Sequence, residues 1–312
     1  MQNEFLYIYT VYQEGSFSKA AEKLYLTQPA LSIAIQKIES SIGMPLFDRS
    51  KRPLQLTAAG EAYIGAIKQM QYLEQDLNQE IQDIRNLNKG VLRLGASHYL
   101  NAFILPSVLS GFTKAYPGIS LELAEYGSDQ INTLLAERKI DMTFSCNEMF
   151  MEHYERYPAF QDHVLLAVPA SDEINESHRP QQMTAADILA RKHLSPDCPT
   201  VSLEDFGQLE YILLGPGNNL RDRVLQLFEE RHIQPKVKLT LAQLATAHAL
   251  AQQGLAAAFT CDRLVCQPAD GLFYYKLDSP LMDRMFYVVL PDRRYTSHAT
   301  KMFIQYFLVN FI

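Results

Sequence analysis

GSFSKAAEKLYLTQPALSIAIQKIESSIGMPLFDR, Gly15 to Arg49, decides how this chain reads. Ser18 is placed to cap a short helix, Lys19 to Leu24, in which Ala20 and Ala21 are small enough to let a second helix come close. Tyr25 and Leu26 make the turn. Thr27 then caps a second helix with Pro29 in its first turn, where a missing N–H costs nothing. Along that helix Leu31, Ile35, Ile38 and Ile42 recur at spacings of three and four, which is one buried face. The other face offers Gln28, Ser32, Gln36 and Lys37, side chains suited to base edges and phosphates. Upstream, Phe5, Ile8, Tyr9 and Tyr12 give a preceding helix its own apolar stripe. Periodicity alone fits both a helix-turn-helix and a small helical bundle with a solvated face.

The order of residues separates the two. Ser16-Phe17-Ser18, Ala20-Ala21, Thr27 to Ser32, Ile38-Glu39, Gly43, Pro45 to Arg49, and Leu56-Thr57 with Ala59-Gly60 together resemble the N-terminal domain of LysR-type transcriptional regulators. The resemblance implies a winged helix-turn-helix over residues 1–57, whose second helix enters the major groove. It places Gln28, Pro29 and Ser32 at the base-facing start of that helix, with Gln36 further along. Ser18, Arg49, Lys51 and Arg52 fall at phosphate or minor-groove positions, with Arg49 to Gln55 as the wing. Ile33 stands where many members carry arginine or lysine, so readout leans on Gln28 and Gln36.

Charge agrees with a localised DNA module. The chain carries 28 Lys+Arg against 35 Asp+Glu, a net of −7, which argues against a general nucleic-acid coat protein. Up to Gly60 there are six bases and five acids, so the acidity lies elsewhere, and Arg49, Lys51 and Arg52 cluster. At 312 residues and 47% hydrophobic, two or three domains are expected. There is no signal-type apolar run and no stretch of eighteen apolar residues, so a soluble cytoplasmic protein is expected. The four cysteines, at 146, 198, 261 and 266, include no CxxC and read as free thiols.

Thr57 caps a long helical segment, Ala58 to about Leu87, in which Met70, Leu77 and Ile84 repeat at seven. Ile67, Leu73, Ile81 and Leu87 fill the intermediate spacing. Two readings are open: a coiled coil with a second copy, or a helix packed on the next domain of the same chain. The resemblance continues here and implies the dimerising linker helix, residues 58–89, ended by Asn88-Lys89-Gly90.

Beyond Gly90 strands and helices alternate: VLRLGA, a helix over 103–116, ISLELAE, a helix over 130–138, IDMTFS, then HVLLAVP, YILLG, KVKLTL and AAAFT with helices between them. GLFYYKL, RMFYVVL and a final helix over 297–311 close the chain. This alternation means parallel sheets, in two sets. LRLGAS, FTKAYPGISLELAEYGSDQINTLLAERKIDMTF and LAQQGLAAAF resemble the LysR-type effector domain, itself similar to type 2 periplasmic binding proteins. The resulting fold class is α plus α/β: a winged helix-turn-helix, a long linker helix and a two-lobed α/β effector-binding domain over 90–312. Lobe one is expected at about 90–162 and 266–312, and lobe two at about 163–265, with crossings near Asp162 and Val265.

In open parallel sheets ligands bind beyond the strand C-termini. Ser97, His98 and Tyr99 follow the first strand and precede a helix N-terminus, a natural carboxylate site. Ser128 and Asp129 follow the second strand, Cys146 and Asn147 the third, and Asn218 and Asn219 lie in a strand-to-helix loop. Thr246 and the Thr260–Cys261 strand end are expected to complete the pocket. Proline is frequent in the family where Cys261 stands.

Catalytic readings find no support in the motifs. No two histidines are closer than ten residues, and HExxH, Walker and GxSxG patterns are absent. Ser97 beside His98 reads as a helix cap rather than a dyad. Peroxide sensing as in one branch of the family needs a cysteine where Asn219 stands, which leaves Cys261 and Cys266 as a weaker thiol pair. The expectation is a regulator without cofactor or metal, bound to double-stranded operator DNA as a dimer or tetramer. A small anionic metabolite, a carboxylate, switches it, with RNA polymerase a further partner if it activates, and no membrane involved.

Overall fold

Ile8 and Val11, both fully buried, set the inward face of α1 (Gln2–Glu14), with Phe5 and Tyr9 packed on its flank. This computed structural model describes residues 2–85, 89–291 and 295–311, and the chain forms two units that divide between Ile84 and Arg85. In the first unit, α2 (Phe17–Lys23) is capped by Ser16, in extended backbone, whose hydroxyl accepts the Lys19 N–H at 3.5 Å. That corrects the expected cap at Ser18, which is exposed in the helix's first turn. Phe17 explains the earlier start, because its ring packs edge-on against Phe47 at 5.7 Å and enters the core already helical.

Thr27 caps α3 (Gln28–Ile42) as expected, its hydroxyl accepting the Ala30 N–H at 3.4 Å. Gly43 ends it at φ +79°, a left-handed turn that costs glycine little. Leu31, Ile35 and Ile38 are buried, but Ile42 is 38% exposed, since Gly43 turns the chain away before the stripe is completed. The antiparallel pair β1 (Phe47–Asp48) and β2 (Gln55–Leu56) brackets the wing. Thr57 accepts the Gly60 N–H at 3.0 Å and opens α4 (Ala58–Arg85). A Cβ at Gly60 would lie 2.0 Å from the Leu46 carbonyl oxygen, so the position admits no larger residue. Ile64 and Ile67 join the core, whereas Met70, Leu73, Leu77 and Ile84 are at least half exposed. Leu87 and Asn88, expected at the helix end, lie outside the described residues.

The second unit begins with β3 (Gly90–Ala96), a π turn over Leu100–Ile104, and α5 (Leu105–Ala115). The expected helix over 103–116 thus starts earlier and changes pitch. Pro106 has no N–H to bond back into the preceding turn, and the wider π turn stands just ahead of it. Next come β4 (Ile119–Glu125), α6 (Ser128–Ala136), β5 (Met142–Ser145), α7 (Glu148–Met151) and the long β6 (Glu155–Pro169). The chain continues through α8 (Ile174–Ser177), α9 (Ala185–Leu189), β7 (Thr200–Val201), β8 (Glu210–Leu214), α10 (Asn219–Glu230), β9 (Lys236–Leu241), α11 (Leu244–Gln252) and β10 (Ala257–Cys261). It ends with β11 (Leu272–Leu277), β12 (Asp283–Leu290) and α12 (His298–Asn310).

Strand order is β4-β3-β5-β12-β6-β10-β8-β9, with β11 also on β6 and β7 on β11. β3 pairs in parallel with β4 and β5, and β8 with β9 and β10, which is the expected pair of parallel sets. β6 joins them: residues 155–163 pair antiparallel with β12, and residues 164–169 with β10 and β11. The first crossing therefore falls at 163/164, beside Asp162. The return expected near Val265 comes later. β11 pairs along β6 in the second set, and only β12 rejoins the first. β11 is mostly buried along its length and would be so in either set, so its partner is settled by pairing and not by pattern.

Candidate functional site

The first unit presents one polar surface. Gln28, Pro29, Gln36 and Lys37 are exposed along α3, with Ser32 half-buried between them, and Ser18, Arg49, Lys51 and Arg52 are exposed nearby in sequence and fold. Ile33 adds an exposed apolar side chain, 54% accessible, to the same helix. Arg49 is more constrained than a free phosphate ligand. Its Nη1 donates to Ser32 Oγ at 3.3 Å and its Nη2 to Glu39 Oε2 at 3.1 Å, and its guanidinium lies 4.8 Å from the Phe17 ring centre. The wing is thereby tied to the helix that carries Gln28 and Ser32. Backbone N–H groups at the start of a helix, hydroxyls and amides on its outer face, and a basic wing are the kinds of donor that nucleic-acid readers use.

In the second unit a cavity of about 680 Å³ opens between the two strand sets. Ser97, His98 and Tyr99 line it, as do Ser128, Cys146, Asn147, Asn218 and Asn219. The residues that begin or cap several helices converge there: Gly127 ahead of α6, Asn147 ahead of α7, Asn218 ahead of α10 and Gln243 ahead of α11. Asn147 and Asn218 use their carbonyl oxygens as caps, accepting the N–H groups of Phe150 at 3.3 Å and Leu220 at 3.0 Å. Gly127 and Gln243 provide no side-chain cap, so the first N–H groups of α6 and α11, whose leading residues line the cavity, are not capped by them. At the mouth, His98 Nδ1 and Glu125 Oε1 are 3.0 Å apart, both side chains well exposed.

Three expectations are corrected. Thr246 is exposed on α11 away from the lining, because the strand-to-helix loop supplies Thr240 to Leu244 in its place. Asp129 does not line the cavity; it lies beside Gly217, whose built Cβ would be 3.1 Å from its Oδ2. Thr260 and Cys261 are fully buried behind the wall, Thr260 bonded to His248 Nδ1 at 3.1 Å.

Sequence reading missed the cavity floor. Arg284 lines it, 5% exposed, and is paired with the fully buried Asp162 through Nε to Oδ1 at 2.7 Å and Nη2 to Oδ2. Tyr99 donates its hydroxyl to the same Asp162 Oδ2 at 3.0 Å. Burial pushes the Tyr99 phenol well above its ordinary range, with Cys261 and Asp162 adding to it, so it stays a donor. The available signal was an arginine opening the otherwise apolar RMFYVVL strand. Arg223 fastens the back wall, donating to Asn219 Oδ1, the Leu281 carbonyl and the Cys146 carbonyl at 3.1, 3.1 and 3.2 Å. All four cysteines are free. Burial raises each thiol, Cys261 most strongly, which is opposite to the thiolate character of a reactive cysteine.

Among the described residues no group of histidine, cysteine and carboxylate side chains is arranged to hold a metal, and no helix is long and apolar enough to cross a membrane.

Two family patterns match. Residues 3–61 match the one described as "Bacterial regulatory helix-turn-helix protein, lysR family", and residues 85–311 the one described as "LysR substrate binding domain". The "Probable RuBisCO transcriptional regulator" of Synechocystis sp. is 28% identical over 304 residues, covering 96% of this chain and 83% of the relative. That of Gracilaria tenuistipitata var. liui is 26% identical over 307 residues, covering 97% and 94%. In fold the chain is similar to full-length BenM (21% identity, TM-score 0.56, 98% of this chain and 95% of that one). It is likewise similar to full-length CbnR complexed with its target DNA (18%, 0.58, 98% of each). The effector-binding domain of QuiR in complex with shikimate matches 72% of this chain and 97% of its own, at 17% identity and a TM-score of 0.57. With both matches in place, one at each end of the chain, this protein belongs to the LysR family: it is a LysR-type transcriptional regulator with a helix-turn-helix and a substrate-binding domain.

Proposed function

We propose that this regulator grips operator DNA as a dimer, through α3 and the wing, and that a small anionic metabolite in the cavity switches it. The observation that carries the anionic reading is the convergence of helix starts on one cavity, two of them with no side-chain cap. Each such end presents open N–H donors and about half a positive elementary charge. The QuiR domain, which holds shikimate, supports the choice of a carboxylate. The exposed seam of Met70, Leu73, Leu77 and Ile84 on α4 supports dimerisation, and tetramers would build on it. The location is cytoplasmic, where operator DNA is. RNA polymerase becomes a partner if the regulator activates.

Switching requires that the metabolite bind two arrangements of the dimer with different affinity; tight binding alone shifts nothing. Thermal melting of the full chain against organic acids, amino acids and aromatic carboxylates tests the reading. A ligand at about a hundredfold over its Kd adds about 2.7 kcal/mol of stability. A carboxylate that raises the melting temperature of the wild type and not of Ser97→Ala is the expected result. A blank across the panel with well-folded protein overturns the anionic reading.

A further inference from the structure

We infer that the open Nη1 edge of Arg284 anchors the metabolite's anionic group on the cavity floor, and that the metabolite is a hydroxylated monocarboxylate. This rests on the reading of the cavity as the effector site.

Arg284 has five N–H donors and is 5% exposed, so any donor left over has to find a partner inside the protein or the cavity. Nε and Nη2 hold Asp162, and Nη2 also donates to Cys261 Sγ at 2.9 Å. Nη1 has no partner among the described residues. The guanidinium is flanked by the Phe286 ring at 5.1 Å and the Tyr99 ring at 5.9 Å, and both rings line the cavity as Arg284 does. The plane is thus held from three sides and its free edge is the one left for the cavity. Fastening β12 to β6 explains the two bonds to Asp162, which is the register partner of Arg284 across those strands. It does not use Nη1, which is not among the buried atoms that lack a partner and so is left to donate into the cavity that Arg284 lines.

The charges around the cavity limit what fills it. Its lining holds one carboxylate, Glu125 at the mouth, and one permanent cation, Arg284 on the floor. Asp162 behind the floor balances the charge of Arg284, so the floor takes one carboxylate through the Nη1 donors and offers no net charge for a second, which near the mouth meets Glu125. The remaining polar lining is uncharged, with Ser128, Asn132, Asn147 and Asn218 among it, and fits hydroxyl groups.

Saturation-transfer NMR with formate, the smallest carboxylate, tests the anchor on the full-length protein, with formamide as the neutral control. Arg284→Lys keeps a positive partner for Asp162 and removes the second edge. Saturable formate binding in the wild type, about tenfold weaker or worse in Arg284→Lys, is expected. Equal binding in both folded proteins overturns the anchor and leaves the anionic reading on the helix starts. No binding to the wild type overturns the anchor, and a blank in the melting panel as well overturns both. A wild-type crystal grown with formate needs no variant: formate bonded to Nη1 supports the anchor, and formate bound only elsewhere in the cavity overturns it. Where the anchor holds, gluconate displaces formate and succinate does not; the reverse order overturns the hydroxylated monocarboxylate.

Discussion

Glu39 and Arg49 face each other at 3.1 Å, the one from α3 and the other from the wing, and this pair ties the wing to α3. The other Glu39 oxygen accepts the backbone N–H groups of Leu46 at 2.8 Å and Phe47 at 3.4 Å. One buried carboxylate therefore fixes both the chain running into the wing and the arginine that opens it.

Glu39→Ala leaves the Leu46 and Phe47 N–H groups without an acceptor and releases Arg49. Loss of about 1–3 kcal/mol from the first unit is expected. Differential scanning calorimetry reads it as a lowered transition, and an unchanged one contradicts the role given to Glu39.

Gln28→Ala and Ser32→Ala are expected to weaken binding to a DNA sequence selected by the wild type from a random pool, and to relax its sequence preference. Lys51→Ala should weaken all sequences alike and flatten the salt dependence by about one unit of slope. Binding titrations from low to moderate salt separate the two effects. Specific affinity unchanged in both Gln28→Ala and Ser32→Ala displaces the recognition helix from its proposed place.

Leu73 is 69% and Leu77 56% exposed on α4. Replacing both by aspartate puts like charges on the seam, so sedimentation velocity should show dissociation to monomers at micromolar concentration. A wild type that is already monomeric at high concentration defeats the coiled-coil reading.

Asp187, in the capping box of α9 with Thr184, has its pKa lowered to about 2, first by the hydrogen bond from Lys192 and then by the Thr184 N–H and hydroxyl. A carboxylate bound more tightly in the folded chain stabilises it above the unfolded pKa near 4 and loses that advantage as pH falls towards about 2. Asp187→Ala should cost about 1 kcal/mol at pH 7, with the gap to wild type closing on acidification. Paired melts from pH 7 down to pH 3 check the slope.

Asp162→Ala leaves Arg284 charged and unpaired in the interior, and a loss of about 3–5 kcal/mol is expected. Asp162→Asn combined with Arg284→Gln removes both charges and should recover most of it. Chemical denaturation of the single and double variants measures the difference.

The helix-turn-helix was legible because every instruction in it is local. Thr27 caps within three residues, Gly43 stops α3 at a left-handed turn, and Leu31, Ile35 and Ile38 mark one face by spacing alone. The misplaced cap at Ser18 shows the limit, since Ser16 and Ser18 are equal candidates until Phe17 has to meet Phe47. The loops that line the cavity were likewise legible, because Ser97, Ser128, Asn147 and Asn218 each follow a strand and precede a helix.

By itself the sequence determined the kind and order of the elements and most of their caps, though not the starts of α2 and α5: turns, apolar periods and the alternation of strand and helix are properties of neighbours along the chain. Only the tertiary structure decided which distant residues meet. Arg284 and Asp162 are paired across strands 122 positions apart, β11 lies on β6 in the second set, and Thr246 faces away from the cavity while Arg284 forms its floor. The reason is that pairing partners and side-chain burial are set by which surfaces pack together, and β6, which pairs with β12 at one end and β10 and β11 at the other, brings those surfaces together.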